Sequence, residues 1–368
     1  MSTGQAPIVN LQVLRFFAAI WVVFLHSRFF LREASDAWEL PKILKVVQVA
    51  GFAGVDIFFV ISGAIMALTS RELAPTLGNS LRFLLVRFSR IYTGWWPLFV
   101  LYWAGAMATH KTEDKWFFSS LFLLPAPLNH YVSGVLWTLS FELYFYCAVA
   151  LLILAPKTWR VRIFAMLLIA LTVVTVIWRA QGYFTPALEA QAWPLQKFAF
   201  APLIAEFLAG FLFYEWFVRA RPQRSWPWIV GAAIFFACAA LYEKFVGKPA
   251  GAHLEGFYSW PERALLLGGF AVCMVGWALT ARPLRGRLAT ILTTLGDASY
   301  AIYLSHIMVM FGLTMALAVL GWPARWQIST MVLLHLGVLA FSLPYHRWVE
   351  LPLYQWCRRH IRQRLTLR

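Results

Sequence analysis

Ten apolar stretches of roughly 20 residues punctuate this chain, and they decide which solvent it can fold in. They run over 10–31, 50–70, 85–108, 133–155, 162–180, 200–219, 226–246, 261–280, 299–320 and 326–345. An α-helix rises about 1.5 Å per residue, so about 20 residues cross a hydrocarbon core about 30 Å thick. Of the 368 residues 61% are hydrophobic and 13% charged, with mean hydropathy +0.66. Soluble domains hold about 45–50% apolar and about 25% charged residues, so this much apolar surface needs lipid around it. The expectation is an all-α, polytopic transmembrane bundle of about ten helices. The nineteen Trp suit the membrane–water interface. The segment "WFFSSLFLLPAP" (116–127) is too short to span; it lies at the interface or re-enters.

The net charge of +16 would suit nucleic acid if it were clustered, but it is distributed as topology. With a cytoplasmic N-terminus, nineteen Lys and Arg fall on the inner side, including the basic tail, and twelve, Arg263 among them, on the outer side. Arg15 lies within the first span. This asymmetry places both termini in the cytoplasm and makes nucleic acid an unsuitable partner. No cleavable signal peptide is evident, so the first helix is expected to stay as an anchor. The longest polar loops, about 20 residues, are too short to fold alone. Residues 1–368 therefore read as one integral-membrane domain without an appended soluble domain. Cys147, Cys238, Cys273 and Cys357 show neither a CxxC pair nor a zinc spacing, so no metal is expected.

Charge inside a membrane is costly, which singles out a few side chains. In "RFFAAIWVVFLHS" (15–27), Arg15 and His26 are eleven residues apart. That is about 20° from three whole turns and about 16 Å of rise, so both occupy one face of the first helix. Asp56, in "GFAGVDIFFVISGAIM" (51–66), lies about as deep as His26. Glu142, in "LWTLSFELYFYC" (136–147), lies somewhat deeper. A neutral imidazole can take a proton, and a carboxylate on its other nitrogen fixes the tautomer. His26 also fits a core histidine bonded to a backbone carbonyl, and Arg15 a snorkelling anchor. In "FLLVRFSRIYTGWWP" (83–97), Arg87 and Arg90 are neighbours at i and i+3, placed by this reading at the start of the third helix. Such a pair suits a polyphosphate, or equally a positive-inside anchor. Tyr300, Tyr303 and His306 form a polar stripe in "LGDASYAIYLSHIMV" (295–309). Glu350, in "HRWVELPLYQW" (346–356), lies near the same surface. Together with Tyr144, these are candidate cavity residues. No GxSxG elbow, P-loop or HExxH motif is present.

The stretches "RFFAAIWVVFLHS", "GVDIFFVISGAIM", "VRFSRIY", "LWTLSFELYFY", "SYAIYLSH" and "HRWVELP" occur in the order found in the membrane acyltransferase-3 family, and nearly the whole chain resembles it. The resemblance implies transfer of an acyl group, most often acetyl, from cytosolic acyl-CoA to a sugar hydroxyl of an extracytoplasmic glycan. It implies a bacterial inner-membrane enzyme whose partners are acyl-CoA, the glycan acceptor, membrane lipid and polysaccharide-assembly proteins, with no tightly bound cofactor. It assigns catalysis to His26, with Asp56 and Glu142 as required acids, and the donor side to Arg15, Arg87 and Arg90. On that reading Arg87 and Arg90 hold the CoA phosphates at the mouth of a through-membrane cavity. Asp56 or Glu142 orients His26, which acts as a general base or carries the acyl group in a covalent relay. Thr93 stands where the family commonly has proline, with Pro97 only later, and the hydrolase-like domain of some members is missing. The rival readings are a secondary transporter, whose paired repeats and broken helices are not evident, and a polysaccharide-export subunit.

Overall fold

The computed structural model describes residues 6–34, 41–182, 198–247, 260–323 and 326–366, and these form helices without strands. The long helices are α1 (Ala6–Ala34), α3 (Ala53–Ser70), α4 (Leu77–Ala108), α6 (Leu136–Leu154), α7 (Lys157–Ala180), α8 (Ile204–Ala220), α9 (Trp226–Phe245), α10 (Pro261–Thr280), α12 (Ser299–Val319) and α13 (Gln327–Tyr345). Shorter helices intervene: α2 (Lys42–Val49), α5 (Phe117–Phe122) and α11 (Gly286–Asp297). After α13 comes one π-helical turn, His346–Glu350, and then α14 (Leu351–Thr366). All ten predicted segments are helical. Among the described residues, eight helices are long and apolar enough to cross a membrane. The other two are α4, whose apolar stretch is diluted by Arg, Trp and Tyr, and α8, which has 17 residues and carries Glu206 and Glu215.

The centre of the bundle is α3, whose helical residues are almost all buried. Small residues explain how its neighbours come so close. A Cβ at Gly63 would lie 2.1 Å from the Phe207 carbonyl oxygen of α8, and one at Gly210 would lie 2.2 Å from that of Val60. The two helices therefore meet backbone to backbone, as helices with small interface residues can do in lipid. Gly51 and Gly54 meet the carbonyls of Trp21 and Ala18 on α1 in the same way.

Arg160, assigned by sequence to a basic inner loop, is instead buried in the first turn of α7. It donates to the carbonyls of Ser70, Leu73, Ile153 and Ala155, satisfying the chain ends that follow α3 and α6. Segment 116–127 folds back along α4. Trp103 packs on Phe117, Trp95 and Trp96 donate to the Ser120 and Leu121 carbonyls, and Tyr92 donates to that of Phe122. Those contacts span eleven residues of α4, or about 16 Å, so the segment takes the re-entrant alternative. Of the cations counted for topology, Lys197, Lys248, Arg325 and Arg368 lie outside the described residues.

Candidate active site

A cavity of about 830 Å³, partly open, lies among α1, α3, α4, α6 and α12. Arg15, Arg87, Arg90, Glu142, Tyr300 and Tyr303 line it, together with Ser62, Thr138 and Tyr146. Four helices distant in sequence thus deliver six of the eleven predicted site residues to one space.

The three arginines differ in their partners. Arg90 is paired with Glu350, which is fully buried and is also held by His346 Nδ1 at 2.9 Å. Its guanidinium is sandwiched by the rings of Tyr300 and Tyr354, 5.6 and 5.5 Å from their centroids. The π-turn before α14 carries Glu350 itself; such turns concentrate where function displaces a side chain from the α-helical register. Arg87 donates to the Thr69 hydroxyl at 2.8 Å, and Arg15 to the Gln12 amide oxygen at 3.0 Å. Arg90 is therefore neutralised, while Arg87 and Arg15 hydrogen-bond to neutral groups and share the cavity with one acid, Glu142, which leaves an excess of positive charge. The expected helix N-terminus at Arg87 and Arg90 is not there. The helix starts at Leu77, capped by Thr76, so both arginines lie several turns inside it and their amides are engaged. Polar residues in "NSLRFLL" (79–85) masked this start. Thr93 continues α4, its hydroxyl donating to the Ser89 carbonyl at 2.7 Å, and Pro97 also lies within the helix.

Glu142 accepts from Ser62 at 2.9 Å and from Tyr146 at 2.6 Å, so two hydroxyls fix its carboxylate toward the cavity. Tyr146 occupies the place expected of Tyr144. The residue four along from Glu142 shares its face, whereas Tyr144 points away, 37% exposed, and packs on Phe198. Tyr303 and Thr138 share a 2.9 Å hydrogen bond where they line the cavity.

His26 does not line this cavity. Among the described residues His26 meets no carboxylate. Its ring lies against His306, with His26 Nδ1 3.0 Å from His306 Nε2 and 3.0 Å from the Val22 carbonyl. His306 is fully buried, one turn beyond Tyr303, and its Nδ1 lies 2.6 Å from the Tyr303 carbonyl. Carbonyls only accept, so these contacts assign the protons with both rings neutral. His306 Nδ1–H donates to Tyr303, leaving Nε2 an acceptor. His26 Nδ1–H is shared between Val22 and His306. His26 Nε2 is left with a bare lone pair, and it makes no hydrogen bond to any described residue. A half-buried imidazole held in this tautomer can accept a proton.

Asp56 is engaged elsewhere. Arg263 of α10 reaches it through Nε to Oδ1 at 3.0 Å and Nη2 to Oδ2 at 2.9 Å. Both side chains are buried, and Glu206 of α8 is buried beside them. Arg263 is thus a core residue rather than an outer-loop cation. Its position inside a predicted apolar span, two residues from the end, was the available signal. For Glu206 the signal was an acid in a short apolar stretch.

A sequence profile described as an acyltransferase domain matches residues 8–346. The exopolysaccharide production protein ExoZ of Rhizobium meliloti (strain 1021) is 31% identical over 306 residues, which cover 80% of this chain and 88% of that protein. No solved structure matches.

Proposed function

Because this chain belongs to the membrane acyltransferase-3 family, we propose that it O-acetylates a sugar of an extracytoplasmic polysaccharide, with acetyl-CoA as donor. An exopolysaccharide is the acceptor class suggested by the similarity to ExoZ. The cytoplasmic membrane of a bacterium is the corresponding location. The observation that carries the reading is the pairing of an anion-attracting cavity with the bare Nε2 of His26, whose partner His306 lies one helical turn beyond Tyr303 of the cavity wall.

In this mechanism Arg87 and Arg15 attract the phosphorylated donor, and the acyl-pantetheine arm extends toward Tyr303. Arg90, locked to Glu350, shapes the mouth rather than binding the anion. The sugar hydroxyl reaches His26 from the opposite side. His26 Nε2 takes the hydroxyl proton as the oxygen attacks the thioester carbonyl carbon. The C–S bond breaks, the thiolate leaves and is protonated, and the new ester stays on the sugar. His306 Nε2, a neutral acceptor, stabilises the imidazolium through the shared Nδ1–H, the role expected of Asp56 or Glu142. General-base assistance of this kind contributes about 10²–10⁴ in rate. Glu142 serves the cavity, and Asp56 serves the fold.

The test is to incubate the purified chain with radiolabelled acetyl-CoA and the host exopolysaccharide. Label should appear on the polysaccharide as an alkali-labile ester. His26→Ala should accumulate in the membrane and transfer none; normal labelling by that variant would remove the base assignment.

A further inference from the structure

Beside the cavity, at its Arg87 end, α4 and α14 enclose a second concavity of about 1010 Å³, partly open to solvent. Asn79, Arg82 and Arg87 line it from α4, and Tyr354, Arg358 and Arg362 from α14. The α14 residues are spaced by four and so form one stripe facing α4. Among the described residues, no acidic side chain lines this cleft. The neighbouring concavity around Arg71, Lys157 and Arg219 differs, since Glu72 and Glu215 balance its cations. The guanidiniums of Arg82, Arg87 and Arg358 converge on this space, with Arg362 beside them, and favour a ligand of several negative charges. Their planar forks match phosphate oxygens.

Arg87 lines both spaces. A ligand with a polyanionic head and a narrow uncharged arm could therefore fill them together, head in the cleft and arm in the cavity. The family profile ends at residue 346, so α14, which supplies half of the cleft, lies outside it. We infer that this cleft binds the phosphorylated adenosine end of the coenzyme A donor, with α14 supplying Arg358 and Arg362 to its phosphates. The inference rests on the acyl-CoA reading above and adds where the nucleotide sits.

The experiment titrates the purified full-length chain with coenzyme A and with adenosine 3′,5′-bisphosphate, and measures its binding to phosphatidylglycerol vesicles. Arg358→Gln/Arg362→Gln should weaken coenzyme A binding at least about tenfold and abolish competition by the bisphosphate. Arg82→Gln, on the opposite wall, should weaken it in the same direction and serves if the double variant does not fold. Unchanged coenzyme A affinity in a folded variant would overturn the assignment. Loss of vesicle binding alone would also overturn it and make the cleft a lipid headgroup site. A wild-type chain that binds no coenzyme A would instead sink the donor reading, which separates the two failures.

Discussion

At the residue scale, the structure changes which side chains work together. His26 and Arg15 share a helix face, as their spacing requires, yet only Arg15 lines the cavity. His26 finds its partner in His306, 280 residues away, rather than in an acid. Depth was legible because an apolar stretch fixes the level of each residue along the membrane normal. Lateral neighbours were not, because equal depth does not say which helices touch. Asp56 shows the consequence: its depth suggested His26, while its hydrogen bonds go to Arg263. Removing one member of a buried ion pair strands the other and costs about 3–5 kcal/mol. Asp56→Ala should therefore lower the thermal unfolding temperature in detergent sharply, and Asp56→Ala/Arg263→Met should recover part of the loss. A stable but inactive Asp56→Ala protein would return this residue to catalysis.

At the element scale, helix positions were readable from apolar length, and their ends less so. The start of α4 was placed eight residues late because its first turns are polar, and that misplaced Arg87 and Arg90 at a terminus. The π-turn that carries Glu350 leaves no sequence signature of its own; it appears only once α13 and α14 are both packed. Helix contacts depend on glycine where backbones meet. Gly63→Ala would put a methyl 2.1 Å from a carbonyl oxygen, so α3 and α8 must separate. Overpacking of that kind costs about 1–3 kcal/mol. The yield of folded protein and its unfolding temperature should both fall. Gly105→Ala on α4, where nothing lies within 4 Å, should change neither. Equal tolerance at both positions would contradict the close α3–α8 contact.

At the scale of the whole molecule, the cavity and the histidine pair sit in series, with Tyr303 between them: its ring lines the cavity and its carbonyl accepts from His306. A donor entering past Arg87 and an acceptor approaching His26 would thus arrive from opposite ends. Sealed vesicles of known orientation test this. Acetyl-CoA supplied only on the face that carries the C-terminal tail should label polysaccharide held on the other face. Supplied only on the opposite face, it should give none, and labelling from either face would contradict the arrangement.

The sequence by itself determined the apolar solvent, the all-helical architecture and the positions of Arg15, His26, Asp56 and Glu142 within their helices. Those follow from apolar length and helical pitch, which are local properties. It also brought six scattered residues under suspicion that do line one cavity. Only the tertiary structure decided partnership: Arg90 with Glu350, Asp56 with Arg263, His26 with His306, and Tyr146 in place of Tyr144. The physical reason is that hydrogen bonds and ion pairs act over about 3 Å. Which side chains come that close depends on helix rotation and crossing, set here by packing such as the glycine contacts of α3.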